Sequence, residues 1–207
     1  TFDHVFETPG AHNVRLMVSN TGNCSNYTDG MLTIRAIPVP DFTPKMICSR
    51  NTTLFNSTSN PGEGTISETY WRLGSGETSD TTTLLHQFTD PGTYTVFLSA
   101  QNSFGCTDSI SVDVQVRPSP IAGFTTSDIC EGIDMYFVNT SQPVGVWDIT
   151  GYSWSFGDGA ESAVSNPSHN YPVAGLYDVS LSVNALNGCS DTLTQTVKVH
   201  AIPVAEF

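Results

Sequence analysis

The sequence is marked by short segments in which apolar and polar side chains alternate. Tyr152, Trp154 and Phe156 alternate with serines, so a strand here would place three aromatic rings on one face. The Gly-Asp-Gly run at 157–159 permits the positive φ angles that a tight reversal needs. Residues 175–183 alternate in the same way, and no segment has a convincing ten-residue helical period. The pattern therefore predicts an all-β protein.

This strand pattern recurs along the chain with a period of 82 to 83 residues. The segments 2–10, 84–92 and 167–175 align without gaps, and the same alternating strand follows each of them. The positions expected to face inward in this strand are His12, Val14, Leu16 and Val18, then Tyr94, Val96, Leu98 and Ala100, then Tyr177, Val179, Leu181 and Val183. The period is too long for a solenoid and suits tandem β-sandwich domains.

Proline-containing junctions divide the chain into domains. We predict that residues 1–36 are the C-terminal half of a domain truncated at its start. Residues 37–117 and 118–201 would be complete domains, and residues 202–207 would begin another. The junctions contain no glycine–serine tract, which favours limited bending. We therefore expect the domains to form an extended, semi-rigid rod.

The five cysteines follow the same repeat. Cys24, Cys106 and Cys189 occupy one late position, and Cys48 and Cys130 occupy one early position. One early and one late cysteine in each complete domain predict the disulfides Cys48–Cys106 and Cys130–Cys189, with Cys24 left unpaired by the truncation. A Cys106–Cys130 bridge across the domain junction and free buried thiols are the alternatives. Disulfides indicate an extracellular protein, and no Cys-x-x-Cys pair suggests zinc.

Charge and motif content exclude several functions. The 7 Lys and Arg residues against 20 Asp and Glu residues give a net charge of −13, which disfavours nucleic acid and anionic membranes as partners. No apolar run approaches the about 20 residues of a membrane span, so direct membrane insertion is not expected. The Gly-x-Ser-x-Gly, His-Glu-x-x-His and phosphate-binding glycine motifs are missing from the sequence. We predict neither catalysis nor a cofactor.

Two residues are candidates for binding. Asp158, between two glycines, is a weak candidate for a calcium ligand, or it forms an Asx turn with its own backbone. The second repeat has Ser75 at the equivalent position, so a metal site shared by all repeats is not expected. Trp147 lies in the apolar loop 142–150, where it either stacks on a sugar ring as a ligand contact or covers the end of the sandwich.

Other repeated residues favour structural roles. His4, His86 and His169 occupy one position, but each repeat supplies a single histidine without a second ligand at fixed spacing. We expect a half-buried histidine that is hydrogen-bonded to a backbone carbonyl. Trp71 and Trp154 are also equivalent, and we expect them to pack in the core of each sandwich beside an inter-sheet disulfide.

The Trp-x-Phe-Gly-Asp-Gly run at 154–159 and the later Gly-x-Tyr-x-Val-x-Leu strand at 175–181 resemble the PKD domain, a small immunoglobulin-like β-sandwich. The resemblance covers the whole chain, although the second repeat departs from it with Trp-Arg-Leu-Gly-Ser-Gly at 71–76. The Gly-Cys-x-Asp turns, low lysine content and abundant Thr, Ser and Asn resemble the long surface proteins of Bacteroidetes. These include gliding-motility adhesins that the type IX secretion system exports.

This second resemblance implies an extracellular structural or adhesive segment of a large cell-surface adhesin. Its partners would be neighbouring repeats of the same chain, and surface polysaccharide or another cell-envelope protein. PKD-like domains also occur as accessory modules that bind polysaccharide or another substrate for a secreted hydrolase, which is the alternative. A catalytic domain on the same chain would favour the accessory module, and dozens of further repeats would favour the adhesin.

Overall fold

The computed structural model describes residues 3–206 and contains β-strands and no helix among them. Thr1, Phe2 and Phe207, which belong to the predicted first and last segments, lie outside the described residues. The strands are β1 (Gly10–Ser19), β2 (Ser25–Ile34), β3 (Phe42–Thr43), β4 (Met46–Cys48), β5 (Thr52–Ser57), β6 (Ile66–Arg72), β7 (Thr78–Ser79), β8 (Thr83–Gln87), β9 (Gly92–Asn102), β10 (Thr107–Arg117), β11 (Phe124–Thr125), β12 (Ile129–Cys130), β13 (Asp134–Tyr136), β14 (Val138–Asn139), β15 (Ile149–Ser155), β16 (Glu161–Ser162), β17 (Ser168–Asn170), β18 (Gly175–Ala185) and β19 (Ser190–His200). The all-β prediction is confirmed, and among the described residues no helix could span a membrane.

The chain forms two compact units that cut across the sequence repeats. The first unit comprises Thr1–Lys45, Thr52–His86 and Thr93–Val114, and the second comprises Met46–Asn51, Gln87–Gly92 and Gln115–Phe207. Three short segments of the second repeat, 46–51, 87–92 and 115–117, therefore group with the third repeat. The domain boundaries after residues 36, 117 and 201 stay predictions from the sequence.

The first unit contains a hairpin and the aromatic core of the second repeat. Strands β1 and β2 pair antiparallel from Gly10↔Ile34 to Ser19↔Ser25. Strands β3, β5 and β8 form one sheet, and β10, β9, β6 and β7 are successive neighbours in another. Trp71 is fully buried, with its ring 5.4 Å from that of Phe42 and 6.4 Å from that of Phe55.

The alternating residues of β1, which the sequence predicts to face inward, are exposed in the hairpin. Leu16 and Val18 are each 61% exposed. Among residues 3–206, β1 and β2 pair only with each other. Alternation buries one face of a strand only where a second layer covers that face. The equivalent Leu98 and Leu181 are fully buried because each lies in a larger sheet.

The second unit contains the sandwich of the third repeat. Its main sheet has the order β12, β19, β18, β15, β16, and the pairs β11–β14 and β13–β17 form separate short ladders. The inward residues of these strands form one apolar cluster, which contains Ala122, Phe124, Met135, Phe137, Trp154, Phe156, Tyr171, Val179, Leu181, Val183, Val197 and Val199. Aromatic side chains supply most of its bulk, as in other small sandwiches.

Trp154 lies at the centre of this cluster. Its ring is 5.1 Å from that of Phe124 and 5.5 Å from that of Phe137, and its Nε1–H donates to the Val164 carbonyl at 2.9 Å. Trp71 donates in the same way to the Thr81 carbonyl at 2.7 Å. The predicted core role of both tryptophans is confirmed. The disulfide expected beside them is not formed, so aromatic contacts fill that place.

Replacing Trp154 by alanine should lower the free energy of unfolding by about 3–5 kcal/mol, because it removes a fully buried indole and leaves a cavity. Trp147→Ala is the matched control. That indole is 38% exposed, and we expect a loss of less than about 1 kcal/mol. Urea denaturation followed by far-ultraviolet circular dichroism measures both variants. Equal losses would contradict the assignment of Trp154 to the core.

Candidate functional site

A single disulfide, Cys48–Cys189, crosses from the second repeat to the third. Its cysteines are 141 positions apart, their Cα atoms are 5.7 Å apart, and both lie in the second compact unit. Cys24, Cys106 and Cys130 are free thiols. The predicted pairs Cys48–Cys106 and Cys130–Cys189 are therefore wrong, and the alternative Cys106–Cys130 bridge does not form either.

The reason lies in the length of the last strand of each repeat. Cys130 lies opposite His200 at the end of β19, whereas Cys189 immediately precedes the first residue of β19. An 11-residue strand separates the two cysteines by about 30 Å, far beyond the reach of a disulfide. Cys48 likewise pairs in register with Arg117 at the end of β10. The early cysteine thus lies at the end of its repeat that meets the next one.

Two buried serines hold the backbone beside the bridge. Ser119 donates its backbone N–H to Ser49 Oγ at 3.1 Å, and its hydroxyl donates to the Ser49 carbonyl at 2.7 Å. The Arg50 guanidinium donates to the carbonyls of Ser119, at 3.0 Å, and Pro120. The side chains and backbone of Ser49 and Arg50 therefore hold the first residues of the junction.

The cysteine-bearing turn of the third repeat makes the reciprocal contacts. The Asn187 carboxamide donates to the Pro118 carbonyl at 2.8 Å and accepts the Cys189 N–H at 3.0 Å. The Arg117 guanidinium donates to the Asn187 carbonyl at 2.7 Å. The backbone of the junction is thus held by these hydrogen bonds as well as by the disulfide.

The junction before the second repeat, which lies in the first compact unit, uses the same chemistry. Asn102 donates to the carbonyl of Ala36, which is equivalent to Pro118, at 3.0 Å. Its side-chain oxygen accepts the N–H of Cys106 at 3.1 Å. Arg35, which directly follows β2, lies over the Phe104 ring with its guanidinium carbon 4.2 Å from the ring centroid. An asparagine and an arginine therefore hold both junctions, although the asparagines occupy different positions of the turn.

Arg50 is a functional residue that the sequence reasoning missed. Its φ of 64° lies in the left-handed region, which is unfavourable for a residue with a Cβ. The equivalent residue of the third repeat is Gly132, with a φ of 77°. The sequence could have indicated this residue, because an arginine occupies a position at which the next repeat has glycine. The bonds of its guanidinium to the junction carbonyls offset this cost.

Asp158 and His169 form a pair at the Gly-Asp-Gly turn. Asp158 Oδ2 is 2.7 Å from His169 Nε2, and Oδ1 accepts the Ala160 N–H at 3.0 Å, so the predicted Asx turn is present. The His169 ring stacks on Phe156 at 4.3 Å. Partial burial raises the pKa of Asp158, but the hydrogen bonds from His169 and Ala160 outweigh it and hold that pKa below its usual range.

The second repeat has an equivalent histidine–carboxylate pair, in which the carboxylate comes from another position of the turn. His86 contacts the carboxylate of Glu77, which lies two residues beyond Ser75. A carboxylate therefore contacts the repeated histidine in the second repeat as well, although Ser75 stands at the position of Asp158. His169 contacts a carboxylate where a backbone carbonyl is expected, and His86 also contacts a carboxylate.

Among residues 3–206, no group of three or more histidine, cysteine, aspartate or glutamate residues could hold a metal ion. The candidate calcium ligand Asp158 is engaged within its own turn. Trp147 forms an isolated bridge with Val144, next to the 87%-exposed Val146. A sugar contact by Trp147 stays a prediction.

Asp158→Asn should weaken the acid sensitivity of the third repeat. Because the folded pKa is depressed, the stability that Asp158 contributes is present above its unfolded pKa of about 3.9 and is lost as the pH falls through its folded pKa. Urea midpoints between pH 2 and pH 7 should therefore fall less steeply in the variant. The exposed Asp148→Asn control should keep the slope of the unmodified chain. Identical slopes for the unmodified chain and Asp158→Asn would refute the pairing.

Arg50→Ala and Arg50→Gly should separate the strain of this residue from its bonding. Both variants lose the guanidinium contacts, so hydrogen exchange at the Ser119 amide should accelerate in each. Only glycine relieves the left-handed backbone, and Arg50→Gly should be more stable to urea than Arg50→Ala by about 1 kcal/mol. An unchanged exchange rate at Ser119 in Arg50→Ala would contradict the role of the Arg50 guanidinium in holding the junction backbone.

Comparison with known proteins identifies the repeats. The family model described as PKD domain matches residues 35–117 and again 116–201. The pre-pro-metalloprotease PrtV of Vibrio cholerae is 34% identical over 110 residues, which is 52% of this chain and 12% of that protein. The microbial collagenase of Vibrio alginolyticus is 39% identical over 72 residues, covering 35% of this chain and 9% of that enzyme.

Among solved structures, the PKD1 domain of the Vibrio cholerae metalloprotease PrtV is 38% identical and covers 39% of this chain and 96% of that domain, with a TM-score of 0.36. This chain spans only about a tenth of the length of the two enzymes that it matches. The family model accounts for most of the chain through its two matches. The chain belongs to the PKD domain family.

Proposed function

We propose that this chain is a non-catalytic spacer of an exported protein, in which covalently coupled PKD domains hold an adjoining domain at a defined distance. The observation that carries the proposal is the Cys48–Cys189 bridge between successive repeats. A disulfide inside one sandwich would stabilise that sandwich alone. A disulfide between sandwiches restrains the junction, which is the flexible point of any tandem array.

The bridge also changes the route of a pulling force. A force applied at the chain ends passes from Cys48 through the sulfur atoms to Cys189 and leaves the intervening residues outside its path. Those residues include the core strands β15 and β18. The Arg50 and Asn187 contacts with the junction backbone add resistance to bending. The segment therefore suits a spacer that keeps its length under load.

The relatives favour a spacer within a hydrolase. The proteins that contain the matching segments are named as a metalloprotease and as collagenases, and the matched segments are small parts of them. We infer that this chain likewise adjoins a hydrolytic domain that acts on protein. The disulfide supports export, since such bonds persist in oxidising compartments. In such a protein, the spacer would set the distance between the catalytic domain and its point of attachment.

A stalk of a cell-surface adhesin is the second candidate. The junctions favour it, because an asparagine donates to the junction backbone before both complete repeats and an arginine contacts the cysteine turn at each. The two functions share the stapled spacer and differ in the domain that it carries. Gliding motility and type IX export belong to this candidate.

Stretching single molecules from residue 1 to residue 207 tests the spacer. The 141 positions between the cysteines, at about 3.3–3.6 Å per residue, should add about 500 Å to the final extension when the bridge is absent. The comparison is between the oxidised chain and the double variant Cys48→Ser, Cys189→Ser.

Cys106→Ser is the matched control, because Cys106 is a free thiol and its removal should leave the final extension unchanged. If Cys106→Ser lengthened the chain, the bridge would lie within the second repeat. In that case the array would lack the covalent coupling on which the proposed function rests.

A further inference from the structure

The C-terminal end of the third repeat has a cysteine at the position equivalent to the one that binds the cysteine turn at the end of the second. Cys130 is the equivalent of Cys48, and it lies opposite His200 as Cys48 lies opposite Arg117. The Cys130 thiol is free and partly exposed. The equivalent sulfur of Cys48 is bonded to the cysteine turn of the next repeat. The same molecule therefore shows how a cysteine turn binds at this position.

The backbone that follows Cys130 and His200 is already arranged for this contact. Glu131 Oε1 accepts the Ile202 N–H at 3.2 Å, as Ser49 Oγ accepts the Ser119 N–H at 3.1 Å. The carboxylate thus takes the place of the hydroxyl at the equivalent position. Its second oxygen accepts the Ala174 N–H at 2.8 Å, which fixes the Glu131 side chain. The backbone after the third repeat therefore begins with a hydrogen bond equivalent to the one beside the Cys48–Cys189 disulfide.

A further contact defines which turn fits. In the stapled junction the Asp191 carboxylate, two residues after Cys189, accepts the Ala122 N–H at 2.9 Å. Ala205 is the equivalent of Ala122 and also carries an N–H. A turn of the sequence Gly-Cys-x-Asp can therefore place its sulfur at Cys130 and its carboxylate at Ala205 together.

We propose that the surface formed by Cys130, Glu131, Ile202 and Ala205 binds the Gly-Cys-x-Asp turn of a PKD repeat that follows on the same chain, and that Cys130 forms a disulfide with that turn. Oxidation joins the two sulfur atoms, releases two protons and passes two electrons to a small-molecule disulfide, which becomes two thiols. Cys106, which is equivalent to Cys189, is by the same rule the partner of an early cysteine in the preceding repeat.

The consequence is a set of overlapping covalent loops. Cys130 lies inside the loop closed by Cys48 and Cys189, so a bridge from Cys130 to a later repeat would start before the first loop ends. Each repeat would then be tied to both of its neighbours. Each of these junctions would then be restrained by its own disulfide.

The test extends the 207-residue chain by a second copy of residues 125–201 placed directly after Phe207. In the added copy, Leu186→Val marks the turn peptide by its mass, and Cys130→Ser removes a competing thiol. The protein is folded in a mixture of reduced and oxidised glutathione, the remaining thiols are alkylated, and peptides are mapped without reduction. We expect a peptide that links Cys130 to the marked copy of Cys189, alongside Cys48–Cys189.

A second extended chain, with Cys189→Ser also in the added copy, reports whether the added repeat folds without the bridge, by its circular dichroism and resistance to protease. There Cys130 should become alkylated. The proposal is overturned if the added repeat folds but Cys130 is alkylated in the first chain, or if Cys130 links two molecules into a dimer. Loss of Cys48–Cys189 in the original chain would instead overturn the proposed spacer.

Discussion

The length of the last strand in each repeat is the constraint on which the junction depends. Because β19 runs for 11 residues, its two ends are about 30 Å apart, and a cysteine at one end cannot reach a cysteine at the other. The early cysteine of the second repeat therefore bonds to the late cysteine of the third. A cysteine pair that could have stabilised a single sandwich instead joins two.

The sandwiches themselves are stabilised by aromatic packing. Trp154 and Trp71 are fully buried, and each is anchored by an indole hydrogen bond to a backbone carbonyl. Burial of such rings supplies a large favourable free energy in a small domain, with directional contacts between the rings. The repeats consequently keep their cores without an inter-sheet disulfide, and the cysteines are available for the junctions.

The polar contacts show how equivalent interactions survive changes of sequence. A carboxylate faces the repeated histidine in both complete repeats, from Asp158 in one and from Glu77 in the other. The asparagine that donates to the junction carbonyl likewise occupies different positions of the turn, as Asn102 in the second repeat and Asn187 in the third. In each case two positions of the same tight turn project into the same space. The turn as a whole, and not one residue of it, carries the interaction.

The sequence by itself determined the strand pattern, the repeat period and the tryptophan cores, because these follow from local alternation and from equivalence between positions. It also placed the cysteines at two equivalent positions, but equivalence cannot distinguish a partner within a repeat from a partner in the next one. Only the tertiary structure decided the Cys48–Cys189 pairing, since it alone shows at which end of the last strand the early cysteine lies.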